Sequence, residues 1–209
     1  MDWKEILTGL GEFIGGILVV LIPVLINYWK KNIPDPAFIK KNMDFYSQIS
    51  NRLLTIRAKL DYDRVAIFEF SNGEKTITGF PFLYSTMTYE RTEDSIQSIK
   101  NQFNRTPSSW FASINKHLIA TEVKYGIFHD DGTGILDGRQ IVVPDIIAIL
   151  KAYNFKSYAV FKLDSEISNG LLVITDHTKK IEFSKDDMNQ LFGDCFYINN
   201  IFNSRPKHK

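Results

Sequence analysis

A single cysteine, Cys195, stands in this 209-residue chain. It cannot form an internal disulfide, which fits a reducing compartment. Charge of either sign is not in excess: Lys and Arg number 25 and Asp and Glu 24, for a formal net charge of +1. No electrostatic footprint for nucleic acid follows, and none is expected as a partner. Nucleophile-elbow, zinc-protease and kinase signatures are absent. No strand is expected before Asp130-Asp131-Gly132-Thr133-Gly134, and the Lys-Ser/Thr of a phosphate loop does not follow it. No repeat and no low-complexity stretch occurs.

What the chain does hold is one long uncharged run, from Phe13 to Trp29. A bilayer's hydrocarbon core takes roughly 20 apolar residues of helix, so the run is short. Extending it back to Ile6 takes in Glu12, tolerable only when protonated or at the interface. Tyr28 and Trp29 mark one aromatic belt and Trp3 the other, and Pro23 introduces a kink. A cleaved signal peptide would want a positive start, but the chain opens Met-Asp-Trp-Lys-Glu, and Asn27 to Lys31 makes a poor cleavage site. A buried core helix is the plainer alternative, and apolarity all round from Phe13 to Ile26 argues against it. The expectation is an anchor over residues 1–31, in the membrane through residues 6–29.

Lys30, Lys31, Lys40 and Lys41 follow the span, against Lys4 before it. The positive-inside rule then predicts a single-pass protein of the inner or plasma membrane, its C-terminal domain cytoplasmic. Gly11 and Gly15 form a small-xxx-small pair that lets two helices approach. Residues 32–36, with Pro34 and Pro36, read as a linker. Residues 37–203 suit one globular domain, and 204–209 form a basic tail.

Within that domain a helix is expected from Ala37 to Leu60. Tyr46, Ile49, Leu53, Ile56 and Leu60 recur at three and four, a seam that pairs with a second copy or lies on the domain's own sheet. A homodimer is expected. Arg64 to Ser71 alternates as a strand ending at an Asn72-Gly73 turn, and Phe82 to Tyr89 reads as its neighbour. Ile96, Ile99 and Phe103 have helical spacing, and Pro107 to Trp110 can open a short helix. Glu122 to Arg139 is the least regular stretch. Asp145 to Tyr153 reads as a helix, then Ser157–Leu163 and Gly170–Thr175 as strands. Ser184, with Asp187 three residues on, opens a last helix to Phe202. The order predicts an α+β fold with a mostly antiparallel sheet, its first and last helices packed on one face.

The helix running into Leu60-Asp61-Tyr62-Asp63-Arg64-Val65-Ala66-Ile67-Phe68 resembles the start of a GAF domain, the sensor fold related to PAS. Tyr158 to Leu163 with Gly170 to Thr175 resembles the last hairpin of that fold, and Ser184 to Phe202 its closing helix. Phe70 to Gly73 with Gly79 to Phe82 is similar to GAF-like proteins of bacteria and their phages.

The resemblance implies a sensory or scaffolding module with a small-molecule pocket between the sheet and the irregular middle segment. Phe68, Phe70, Phe82, Tyr84, Tyr125 and Phe128 are the candidate lining, and the same aromatics can instead fill the core. No cyclic-nucleotide signature is seen and no cofactor is named. With no effector segment after Phe202, output is expected to pass through a partner, an oligomer or the anchor.

Metal ligation by His129, Asp130, Asp131 and Asp137 matches no known spacing, and Asp-Asp-Gly is more often a solvated turn. Cys195 reads as packed core. No metal site and no enzyme activity are expected. The function predicted is a membrane-anchored sensor or adaptor for signalling. The alternatives are a ligand-free dimerisation module, or a phage or defence protein acting through its membrane helix.

Overall fold

The computed structural model describes Trp3 and residues 17–28, 36–75, 81–107, 123–164 and 169–205. The chain divides into two compact units, Met1–Met43 and Asp44–Lys209. In the first, residues 17–28 are helical and their large apolar side chains are exposed, Val19 and Val20 most of all. Trp3 apart, the rest of the expected anchor lies outside the described residues. Among the described residues, no helix is long and apolar enough to cross a membrane.

Helix α1 (Pro36–Leu60) puts Phe45, Ile49, Leu53 and Ile56 on one buried stripe. Arg57 and Lys59 in its last turn complement the helix dipole. Asp61 then takes a positive φ of 54° and returns its N–H to the Arg57 carbonyl, which stops the helix.

Eight strands follow in one sheet: β1 (Arg64–Lys75), β2 (Pro81–Thr92), β3 (Thr106–Pro107), β4 (Tyr125–His129), β5 (Thr133–Leu136), β6 (Arg139–Val142), β7 (Ser157–Asp164) and β8 (Asn169–Asp176). Their order is β3-β2-β1-β8-β7-β4-β5-β6, and every pairing is antiparallel. Helix α2 (Pro144–Ala152) lies between β6 and β7, with proline in its first turn. Helix α3 (Lys185–Asn203) closes the domain.

The central strands are apolar on both faces, so alternation divides two cores rather than core from solvent. Val65 and Ile67 of β1, Ala159 and Phe161 of β7, and Leu172 and Ile174 of β8 meet the buried stripes of α1 and α3. Ala66 and Phe68, Tyr158 and Val160, and Leu171 and Val173 meet α2 and a 3-10 turn at Lys100–Phe103. Each of the valines, leucines, isoleucines and phenylalanines so withdrawn from water contributes about 1.5–3 kcal/mol before entropy.

The two long helices are thus on one face. Arg52 of α1 pairs with Asp194 of α3, and Phe45 meets Phe202 at 6.0 Å. Burial raises the Asp194 carboxyl above the usual range despite that partner. Ser184 caps α3, with its side chain and that of Asp187 each bonding the other's backbone N–H.

Three sequence expectations change. β1 runs on through Asn72 and Gly73 to Lys75, because the register shifts there as a bulge instead of turning. The irregular stretch after Glu122 is a three-stranded meander, with Asp137 and Gly138 both at positive φ (43° and 82°) in a two-residue hairpin. Its short, glycine-broken strands carry too few alternations to be read as strands. The helical spacing through Phe103 yields only the 3-10 turn, and Pro107 sits in the edge strand β3. Residues 108–110 lie outside the described residues.

Candidate functional site

The face of the sheet turned away from α1 and α3 carries a row of aromatics. Phe68 of β1 meets Phe103 edge-on at 5.4 Å; Phe103 meets Tyr153 at 4.8 Å; Tyr153 stacks on Phe155 at 5.8 Å. Phe155 reaches the His177 ring at 5.1 Å, and Phe128 packs beside Tyr158 at 6.3 Å. Ile146 and Leu150 of α2 close over this cluster. Burial raises the Tyr158 phenol far above its ordinary value, so it stays neutral.

One end of the cluster is charged. Arg64 continues the β1 alternation onto this face and is almost fully buried. It donates through Nε to Glu90 at 2.8 Å, through Nη1 to Thr175 at 3.4 Å and through Nη2 to the Gln97 carbonyl at 2.8 Å. Its guanidinium lies over the Phe155 ring at 5.5 Å. Glu90 also accepts from the Ile99 N–H and from the Ser98 hydroxyl. The pair therefore latches the 97–99 segment down beside the aromatics. Next to it, Asp63 accepts from both the His177 backbone N–H (2.8 Å) and Nδ1 (2.7 Å).

Of the expected lining residues, Phe68, Phe70 and Phe128 share this face. Phe68 and Phe128 are buried in its core, and Phe70 is half-buried against it. Tyr84 is paired with Ser71, one residue out of phase with Phe70, and so faces the other side, under Arg105. Tyr125 is also on the helix side, stacked on Phe161 at 5.9 Å and against Phe192 at 6.0 Å. The Phe82 side chain lies outside the described residues. Arg64, Glu90, Asp63 and His177 were not anticipated; an arginine in phase with Ala66 and Phe68 was the available signal.

The seam residues have intramolecular partners. Ile49, Leu53 and Ile56 are buried against the sheet, Leu60 packs on the same core, and Tyr46 is exposed. The residues weighed as metal ligands have separate partners. Asp130 pairs with Lys156 at 2.9 Å and Asp131 with Lys180 at 2.8 Å, while Asp137 accepts from the Lys124 and Tyr125 N–H groups. His129 Nδ1 meets Ser157 at 2.9 Å. Hydrogen bonds from Lys180 and Thr133 hold the Asp131 carboxyl well below the usual range. Among the described residues no metal-binding cluster forms. Cys195 is buried on the helix side, and burial pushes its thiol up to about 12.

This layout is GAF-like. The phycocyanobilin-bound GAF domain of a cyanobacterial phytochrome superposes with a TM-score of 0.62 at 17% identity, over 81% of this chain and 90% of that one. The phycoerythrobilin-bound GAF domain of a cyanobacterial phytochrome gives 0.61 at 16%, over 81% and 91%. The PixJ GAF domain of Thermosynechococcus elongatus gives 0.54 at 11%, over 78% and 89%. At such identities the likeness extends to the fold. The sequence matches no protein-family model and no curated protein.

Proposed function

We propose that this chain is a membrane-anchored sensor or adaptor, non-enzymatic, whose GAF-like domain binds a small ligand on its aromatic face. The observation that carries the reading is the aromatic row from Phe68 to His177, ended by the buried Arg64–Glu90 pair. Apolar rings beside a few fixed polar groups are the chemistry of a small-molecule pocket. The neighbours with this fold that hold phycocyanobilin and phycoerythrobilin support ligand binding as its use. The sole thiol lies behind the sheet, so a ligand on the aromatic face is held without a thioether. The uncharged run from Phe13 to Trp29 supports anchoring, with the domain on the cytoplasmic side. The exposed side of α1 supports a homodimer as the output form.

Native mass spectrometry of the full chain released from detergent micelles tests the reading. A retained small molecule is expected, lost on replacing Phe70 with Asp; a bare mass in every preparation rejects ligand sensing. Fusing residues 1–35 to a reporter tests the anchor, and a reporter recovered in the soluble fraction rejects it.

A further inference from the structure

An open cleft lies on the helix side of the sheet, behind the aromatic face. Strands β4 to β6 carry that side outward past α3, and residues leading into α3 border the cleft, whose volume is about 480 Å³. His129, Ile135, Gln140, Val142, Lys180 and Glu182 line it.

The hydrogen bonds around Ser157 place a proton on His129 Nδ1. The Ser157 hydroxyl has one proton, given to the Phe128 carbonyl at 3.2 Å, and it accepts the Ile181 N–H at 3.0 Å. Its remaining lone pair takes His129 Nδ1–H at 2.9 Å. In the neutral ring this tautomer leaves Nε2 as an acceptor on a residue that lines the cleft. Burial and nearby Lys180 disfavour the imidazolium and so favour the neutral ring.

Charges around the cleft leave one carboxylate over. Lys180 is taken by Asp131 at 2.8 Å and Asp130 by Lys156 at 2.9 Å. The Glu182 backbone is held on both sides by the Tyr62 hydroxyl, at 3.0 and 3.2 Å. Its carboxylate has no hydrogen-bond donor among the described residues. Ile135 and Val142 present hydrocarbon beside these acceptors, and Val142 is 75% exposed.

We propose that this cleft binds a small amphipathic amine, its ammonium taken by Glu182 and His129 Nε2 and its apolar body laid on Ile135 and Val142. A carboxylate of the same shape would be repelled by Glu182 and would find Lys180, which also lines the cleft, already held by Asp131. The cleft is a site separate from the aromatic face and stands whether or not that face takes a ligand.

The test uses the full chain in detergent micelles with 13C-labelled histidine, titrated at pH 7.5 with 3-methylbutylamine. The His129 imidazole signal is assigned from its loss in His129→Asn. A saturable shift of that signal is expected, weakened about tenfold by Glu182→Gln, the loss of one charge-assisted hydrogen bond. Glu182 is exposed, so this variant keeps its unfolding midpoint. 3-Methylbutanoate and 3-methylbutanol should leave the signal in place. A signal unmoved by the amine, equal shifts from the carboxylate or the alcohol, or unchanged affinity in Glu182→Gln would each overturn the proposal.

Discussion

Arg64 Nε donates to Glu90 Oε1 at 2.8 Å, with the two side chains only 2% and 5% exposed. Burial lowers the Arg64 pKa, but the neighbouring carboxylate opposes this and keeps the guanidinium charged. The pair joins β1 to β2 and latches the 97–99 segment to the sheet through Gln97, Ser98 and Ile99. Removing one member strands the other's charge. Arg64→Met and Glu90→Leu should each cost about 3–5 kcal/mol in urea unfolding. The double replacement should cost less than their sum by more than about 1 kcal/mol, the signature of direct coupling.

Helix α3 starts where Ser184 and Asp187 satisfy each other's backbone. Ser184→Ala should lower stability by about 1 kcal/mol, read from the denaturation midpoint, and Asp187→Ala by a comparable amount. This cap was legible in the sequence because it closes within four residues. The α1 stripe and the strands β7 and β8 were legible for the same reason: period and local breakers carry them. What stayed hidden depends on pairing across distance. Tyr84 and Tyr125 left the expected pocket because strand register sets which face a residue takes. Arg64 and Glu90 are 26 residues apart, and nothing local to either marks the other.

Leu53 is fully buried and Leu54 is 46% exposed, so neighbouring leucines on α1 have opposite tasks. Leu53→Ala should destabilise the domain by about 2–5 kcal/mol and leave the assembled mass unchanged. If copies pair through α1, Tyr46 and Leu54 carry the contact. Tyr46→Glu with Leu54→Glu should then lower the mass in analytical ultracentrifugation while the unfolding midpoint moves little.

Two glycines make a matched pair. A Cβ on Gly170 would sit 2.5 Å from the Phe68 carbonyl, whereas one on Gly193 in α3 would meet nothing within 4 Å. Gly170→Ala should part β1 from β8, costing about 1–3 kcal/mol and speeding amide exchange along both strands. Gly193→Ala should stabilise by about 0.5–1 kcal/mol through helix propensity alone.

His129 should impose a pH dependence of its own. Its folded-state pKa is depressed, by burial first and by Lys180 next. The unfolded chain, near the ordinary value of about 6.5, then binds more protons than the folded one below that pH. Stability is therefore full above about pH 6.5 and is lost as pH falls through the folded pKa. The loss is at most about 1.4 kcal/mol per pH unit for one proton. The carboxylates of Asp131, Glu182 and Asp130 pull the other way but are outweighed. Thermal unfolding between pH 7.5 and 5.5 should show a falling midpoint in the native chain and a flatter one in His129→Asn. Equal slopes in the two would mean that His129 binds protons alike in the folded and unfolded chain, and that burial does not depress it.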